Sequence, residues 1–395
     1  MADLYWDPYD EEIERNPYEV WRRMRDEAPV YRNDKHDFYA LTRFADVEAA
    51  HRDPQTFSSA RGTVLEIMGP DMSATGQMIF LDPPDHTRLR QLVSRAFTPR
   101  RVAQLEARVR ELCAELLDPF VGESELDYVE DFGDHLPSMV ISSLLGLPRE
   151  DQRQVRRMVD GIFHIEPGVG IVNETSINAS LVVSQYVAEH LAKRRNAPSD
   201  DLLTALVEAE IVDDEGVVRR MTEKETVEFT MLLFIAGTET VGRLLGWAAV
   251  VLEANPDQRK ELAADSSLLP KAVEELLRYE APSGTQGRWT TREVKVHDTV
   301  IPKDSKVLLL TGAAGRDERA YFDPDRFDIH RSGQPHVSFG YGIHFCLGAA
   351  LARLEGRVAL EETLKRFPEW EVDHARAVRL HTSTVRGYTK VPILV

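Results

Sequence analysis

Cys346 is one of only two cysteines in the chain. It lies in a glycine-studded stretch, Phe339-Gly340-Tyr341-Gly342-Ile343-His344-Phe345-Cys346-Leu347-Gly348, just before Leu347, Leu351, Leu354 and Val358 repeat at helical spacing. A thiol at a helix N-terminus is stabilised as the thiolate, the form that ligates metal, by unpaired N–H groups and the positive end of the peptide dipoles. Gly340, Gly342 and Gly348 carry no Cβ and let backbone approach a large flat object. A lone cysteine in such a loop reads first as a buried structural residue. A second stretch, Ala236-Gly237-Thr238-Glu239-Thr240, places an acid and an alcohol inside an apolar helix, where the pair can relay protons. There Thr240 can bond back to the carbonyl of Ala236 and open the helix locally. A third pair, His86 and Arg90, shares one helix face at a spacing suited to a carboxylate.

The pattern Phe-x-x-Gly-x-x-x-Cys-x-Gly is met at Phe339, Gly342, Cys346 and Gly348 together, and it resembles the haem-binding loop of the cytochromes P450. Two further motifs occur in that family's order, Ala236-Gly237-x-Glu239-Thr240 and Glu275-x-x-Arg278. The resemblance implies a mainly α fold with a minor β region, one P450 domain over residues 1–395, and haem b between the long helix and the Cys346 loop. It makes Cys346 the axial thiolate and metal ligand, pushing electron density toward iron to favour O–O cleavage. It assigns His86, Arg90, Arg288 and His344 to the haem propionates, and Phe339, Gly340, Ala236, Gly237 and Gly348 to the haem's surroundings. Ala236 and Gly237 leave space for dioxygen, and Glu239 and Thr240 relay protons to it. Glu275, Arg278 and the Arg326 of Asp325-Arg326-Phe327 form a structural network that fixes the haem-loop region. The expected substrate pocket draws on Met68, Met72, Ile79 and Phe80 in the loop between Ser58 and Asp85. Phe163 and Ile171 come from a lid, Leu232, Ile235 and Ala236 from the long helix, and Ser283, Thr285 and Val385 from later segments.

The reaction so implied is insertion of one atom of O₂ into a hydrophobic small molecule, by hydroxylation or epoxidation of a terpenoid, steroid, fatty acid or polyketide-like substrate. Gly340-x-Gly342 lacks the third glycine of a dinucleotide fingerprint. Electrons therefore come from NAD(P)H through a ferredoxin reductase and a ferredoxin. Arg353 and Arg357, one turn apart on the helix after Cys346, form a basic spot for that acidic partner. A peroxide-driven peroxygenase and a non-enzymatic haem sensor or carrier stay open beside the monooxygenase.

A net charge of −18 argues against a nucleic-acid partner, and 43% hydrophobic composition suffices for a sizeable core. Two cysteines make no disulfide framework, so a reducing cytoplasm is expected. The N-terminus lacks an apolar signal region, and no apolar run of about 18 residues is found, so a soluble monomer without a membrane is expected. Val30–Arg32 and Phe38–Leu41 read as a hairpin, while Val294–Val296 and Lys306–Leu310 read as further strands. Thr222-Glu223-Lys224-Glu225 is a capping box opening a helix that meets no proline before Pro256, roughly 50 Å long. Asp298 and Asp304 stand where the family usually has turn glycines, and aspartate tolerates such conformations. Gly315 precedes Arg316-Asp317 with no evident reason in the sequence.

Overall fold

A computed structural model describes residues 3–70, 76–94, 97–164, 166, 170–212 and 216–395; Met72 lies outside them. Seven helices position the site: α1 (Phe44–Arg52), α2 (Asp85–Ser94), α3 (His135–Leu145), α4 (Gln152–Ile162), α5 (Glu223–Glu253), α6 (Leu269–Tyr279) and α7 (Ala349–Arg366). α5 begins as the sequence predicts. Thr222 Oγ1 accepts the Glu225 N–H at 3.2 Å while Glu225 Oε2 accepts the Thr222 N–H at 2.7 Å, satisfying two donors that an uncapped helix start leaves orphaned. The helix is buried on nearly every face from Phe229 to Leu252. Its flanks are tied by the indole of Trp247 donating to the Arg386 carbonyl (3.2 Å) and that of Trp370 donating to Ala249 (3.0 Å). The expectation that no segment is long and apolar enough for a membrane span is corrected here. α5 meets that standard by length and composition, because a central core helix must be apolar all round, and 72% of the window is buried inside the protein.

The principal sheet has five strands, β1 (Val30–Asn33), β2 (Phe38–Leu41), β3 (Phe57–Ser58), β4 (Gln286–Thr290) and β5 (Lys306–Leu309), in the order β1-β2-β5-β4-β3. β5 runs parallel to β2 with Val307 opposite Tyr39, and antiparallel to β4 with Val307 opposite Arg288. Arg288, on a strand paired on both sides, is 5% exposed. Of the two expected turn aspartates, Asp304 does adopt left-handed backbone (φ 62°), but in the other turn His297 takes that conformation (φ 52°) in place of Asp298.

Glu275 and Arg278 on α6 make a bidentate pair at 2.7 and 2.8 Å, both side chains buried. The third member is Arg331, and not Arg326 as the sequence suggests. Arg331 Nε lies 3.0 Å from Glu275 Oε1 and its other nitrogens donate to the carbonyls of Phe322, Asp323 and Arg326. Arg326 itself is exposed and contributes only its carbonyl, because the chain turns so that the arginine five residues later reaches the carboxylate. Arg278 also donates to the Gly315 carbonyl at 2.6 Å, and a Cβ at Gly315 would stand 2.4 Å from the Arg278 carbonyl, which explains the glycine. The knot fixes the segment that leads into the Cys346 loop, and Ser338 Oγ donating to Leu277 at 2.5 Å ties the loop to the same helix. Arg331→Leu leaves the buried Glu275 carboxylate with one cation, and should cost about 3 kcal/mol. Arg326→Ala should stay within about 0.5 kcal/mol of the parent. Denaturant midpoints at constant slope measure both, and the reverse ranking contradicts the assignment.

Candidate active site

Phe339, Gly340, Gly342, His344, Cys346 and Gly348 form a folded-back loop. The Cys346 N–H donates to the Phe339 carbonyl at 2.9 Å, and Gly340 and Gly342 both have φ 67°. At Gly342 the carbonyl of His51 on α1 approaches so closely that a Cβ would lie 2.5 Å from it, so only glycine fits. Cys346 stands three residues ahead of α7, and the Ala349 N–H reaches its carbonyl at 3.4 Å. Burial pushes the Cys346 thiol up, opposed by a hydrogen bond from the Gly348 backbone and by Arg90 and Arg353. The Gly348 N–H, Arg90 and Arg353 thus favour the thiolate against the cost of burial, and a coordinated cation would deprotonate the sulfur.

A cavity of about 320 Å³ joins this loop to α5. Arg90, Ala236, Gly237, Thr240, Arg288, Phe339, His344, Cys346 and Gly348 all line it, as the sequence predicts. Of the expected substrate-pocket residues, Ile79, Leu232, Ala236 and Ser283 are in its wall. Met68, Phe80, Phe163, Ile171, Ile235, Thr285 and Val385 are not. Met68 packs in a separate core with Trp6 and Trp289, and Phe163 packs against the core beside α4. Ile235 turns off the cavity face of α5, while Thr384 lines the wall in place of its neighbour Val385, which bridges Ser283 through backbone. Sequence reasoning missed Val64, Met78, Phe97, Gln286 and Glu355; Met78 and Gln286 adjoin the expected Ile79 and Thr285, whereas Val64, Phe97 and Glu355 lie in stretches without a motif. Glu355, on α7 and 2% exposed, has Oε2 without a partner, and burial raises its carboxyl to about 8.

The basic groups meet as predicted. His86 and Arg90 project from α2, and the rings of His86 and His344 stack tilted at 4.3 Å. Burial, with neighbouring positive charge, holds His86 down to about 4 and His344 to about 2, and burial lowers Arg288 to about 10. Both ring nitrogens of His86 and Nε2 of His344 are buried without hydrogen-bond partners. Among the described residues, none of His86, Arg90, Arg288 or His344 is paired with a carboxylate. Asp82, the acid that acts on His86 and Arg288, accepts from Ser58 Oγ at 2.5 Å and the Ser59 N–H at 3.0 Å. Such orphaned donors are uncommon in folded proteins. They fit the two propionates of a haem, with Cys346 on the same cavity wall to ligate its iron.

The family is decided by sequence comparison: residues 172–392 match the family model described as "Cytochrome P450". The chain belongs to the cytochrome P450 family. It is 40% identical over 396 residues to "Putative cytochrome P450 123" of Mycobacterium tuberculosis, covering 100% of this chain and 97% of that protein. It is 38% identical over 387 residues to "Vitamin D(3) 25-hydroxylase" of Pseudonocardia autotrophica, covering 96% and 94%. Among solved structures it is similar to the bacillaene polyketide synthase P450 PksS of Bacillus subtilis, with TM-score 0.89, 33% identity and 99% of each chain covered. A mutant of P450 EryK in complex with erythromycin B gives TM-score 0.87 at 34% identity, covering 97% and 96%.

In this P450, Thr240 makes the expected back-bond to Ala236, Oγ1 to carbonyl at 3.3 Å. Glu239 faces elsewhere. Its carboxylate, 3% exposed, is held by Arg243 at 2.8 and 2.7 Å and lies 3.6 Å from Arg156 on α4. Arg156 in turn binds Asp134 at 2.9 Å and Asp160 at 2.5 Å, so three acids share two guanidinium groups. Burial raises the Asp134 carboxyl to about 6 against the pull of Arg243 and Arg156. Arg353 and Arg357 are not an uncompensated basic spot either: Arg353 binds Glu274 at 2.6 Å and Arg357 binds Glu106 at 2.6 Å.

A folded-state carboxyl raised to about 6 binds its proton more tightly than in the unfolded chain, so its contribution to stability falls as pH rises from about 4 to 6. Glu239→Gln frees Arg243 for Asp134 and should flatten that part of the stability curve. Parallel unfolding series at pH 4 to 7 measure it, and an unchanged slope contradicts the shared-cluster account.

Proposed function

We propose that this P450 is a monooxygenase that inserts one oxygen atom of O₂ into an apolar small molecule, by hydroxylation or epoxidation, with electrons delivered from NAD(P)H by a ferredoxin reductase and a ferredoxin. The observation that carries this reading is one cavity lined at once by Cys346, by Ala236, Gly237 and Thr240, and by largely apolar side chains such as Val64, Met78, Phe97 and Leu232. Haem ligated by Cys346, with its propionates at His86, Arg90, Arg288 and His344, would supply the redox and oxygen-activating chemistry.

The chain's own residues do the rest. The apolar wall orients a hydrophobic substrate and excludes water, which strengthens every polar interaction left inside. Polar groups in the wall are few, Thr63, Ser283, Gln286 and Thr384 among them, so a ligand with an apolar body and one or two hydrogen-bonding groups fits best. Relatives named "Vitamin D(3) 25-hydroxylase" and "Cyclomarin C epoxidase CymV" support hydroxylation or epoxidation. Thr240 holds its hydroxyl proton against the Ala236 carbonyl and keeps oxygen lone pairs free toward the cavity, so it can accept one proton and pass on another. Glu239 can supply that proton only by leaving Arg243, a rotation that the neighbouring Asp134 eases by taking up the released guanidinium, now 3.6 Å away. At the surface, the Arg353 and Arg357 pairs are half-exposed and worth at most about 1 kcal/mol each, so an acidic ferredoxin can displace their carboxylates.

Thr240→Ala keeps helix and cavity but deletes the hydroxyl, and general acid–base groups typically contribute ~10²-fold or more to a step. The variant should consume NAD(P)H at a comparable rate, release more hydrogen peroxide and form less product per electron. Parent-like coupling at equal haem content would remove Thr240 from the proton path. The same assay run with peroxide in place of reductase and NAD(P)H separates the monooxygenase from a peroxide-driven peroxygenase.

A further inference from the structure

His51, near the C-terminal end of α1, is 4% exposed and stands among the propionate-binding groups, though neither its spacing nor its neighbours in sequence point there. Its ring approaches the Cys346 loop at Gly340, where a Cβ would lie 3.5 Å from its Cε1. Nδ1 is 3.4 Å from Arg288 Nη2. A guanidinium can only donate, so Nδ1 is the acceptor and the neutral ring carries its proton on Nε2. That Nε2–H is buried with no partner. The adjacent Arg52, a donor only, cannot answer it; it is engaged with Glu48 at 2.7 Å and lies over the Tyr341 ring. Burial and Arg288 together hold the His51 ring down to about 3, so the ring stays neutral through the physiological range. A proton on His51 would also disfavour one on His344, near which Arg288, His86 and Arg90 stand as well.

We infer that His51 is a fifth member of the propionate site, fixing Arg288 through Nδ1 and donating its Nε2–H to the carboxylate that Arg288 also holds. A histidine buried only for packing would have its second nitrogen satisfied by protein, as most buried polar atoms are. Here both the orphaned donor and the arginine it touches lack an anion, and a carboxylate between them answers both. The inference rests on the P450 reading of the cavity.

The test is the rate at which purified holoprotein loses haem to an excess of apomyoglobin, for the parent, His51→Leu and His51→Gln. A glutamine amide reaches the position of Nε2 and keeps a donor there, whereas leucine keeps bulk alone. His51→Leu should lose haem about 10- to 100-fold faster than the parent, as expected for a hydrogen bond to a charged group. His51→Gln should stay within a few-fold of it. With haem dimethyl ester, which has no carboxylate charge, the gap between parent and His51→Leu should close. Equal loss from parent and His51→Leu overturns the inference, and so does a gap that the ester leaves unchanged, since that would be packing. If His51→Leu does not fold, His51→Asn against His51→Gln carries the same contrast, because asparagine reaches only the Nδ1 position; equal rates then overturn it. A parent chain that binds no haem overturns the P450 reading itself, while a parent that binds haem no better than its variants overturns only the role of His51.

Discussion

Buried positive charge that no carboxylate among the described residues pairs with directly is the constraint on which this structure turns. Arg288 is almost wholly buried and its described partners are the carbonyl of its own neighbour Gly287 and the His51 ring. Taking a guanidinium out of water is expensive, and proteins ordinarily place a carboxylate beside it. Near it stand His51 and His344, disfavoured as cations by burial and by the Arg288 charge, and beyond them His86, disfavoured by burial and Arg90. The arrangement is unfavourable for the polypeptide alone and favourable once an anion arrives, so binding a dicarboxylate cofactor and completing the fold are coupled.

Four separate parts of the chain must converge to build that pocket, and each is held by a different device. α2 brings His86 and Arg90 on one face. The β4–β5 pairing sets Arg288 facing inward. The last turn of α1 wedges under Gly342. The loop itself is anchored through Ser338 to α6, whose Glu275 and Arg278, joined by Arg331 from the preceding segment, hold that segment in place. A long apolar helix, α5, then closes the far side with Ala236 and Gly237, small residues at the position where bulk would fill the cavity.

What could be read from the sequence was local. The Cys346 loop, the His86 and Arg90 pair, the capping box at Thr222 and the acid–alcohol stretch all state their chemistry within ten residues, and the structure brings the loop, Arg90, Arg288 and Thr240 to one cavity. What escaped depends on tertiary contact. Arg331 replaces Arg326 because a turn between them redirects the chain, and His51 enters the propionate cluster from a helix with no motif. The face of α5 that meets the cavity separates Ala236 from Ile235, a one-residue difference that hydrophobicity cannot resolve. Glu239 shows the limit most sharply: the motif places it beside Thr240, yet its side chain leaves on the opposite side of the helix, toward Arg243.

The ligand assigned to Cys346 carries the whole account, since the donors around it would hold any flat dicarboxylate while the thiolate decides the chemistry. The direct measurement is the absorption spectrum of the reduced, carbon monoxide-bound holoprotein. The account predicts the strongly red-shifted Soret band of thiolate ligation in the parent chain and its loss in Cys346→His at comparable haem content. A red-shifted band that survives in Cys346→His, or its absence from a folded, haem-loaded parent, would contradict it.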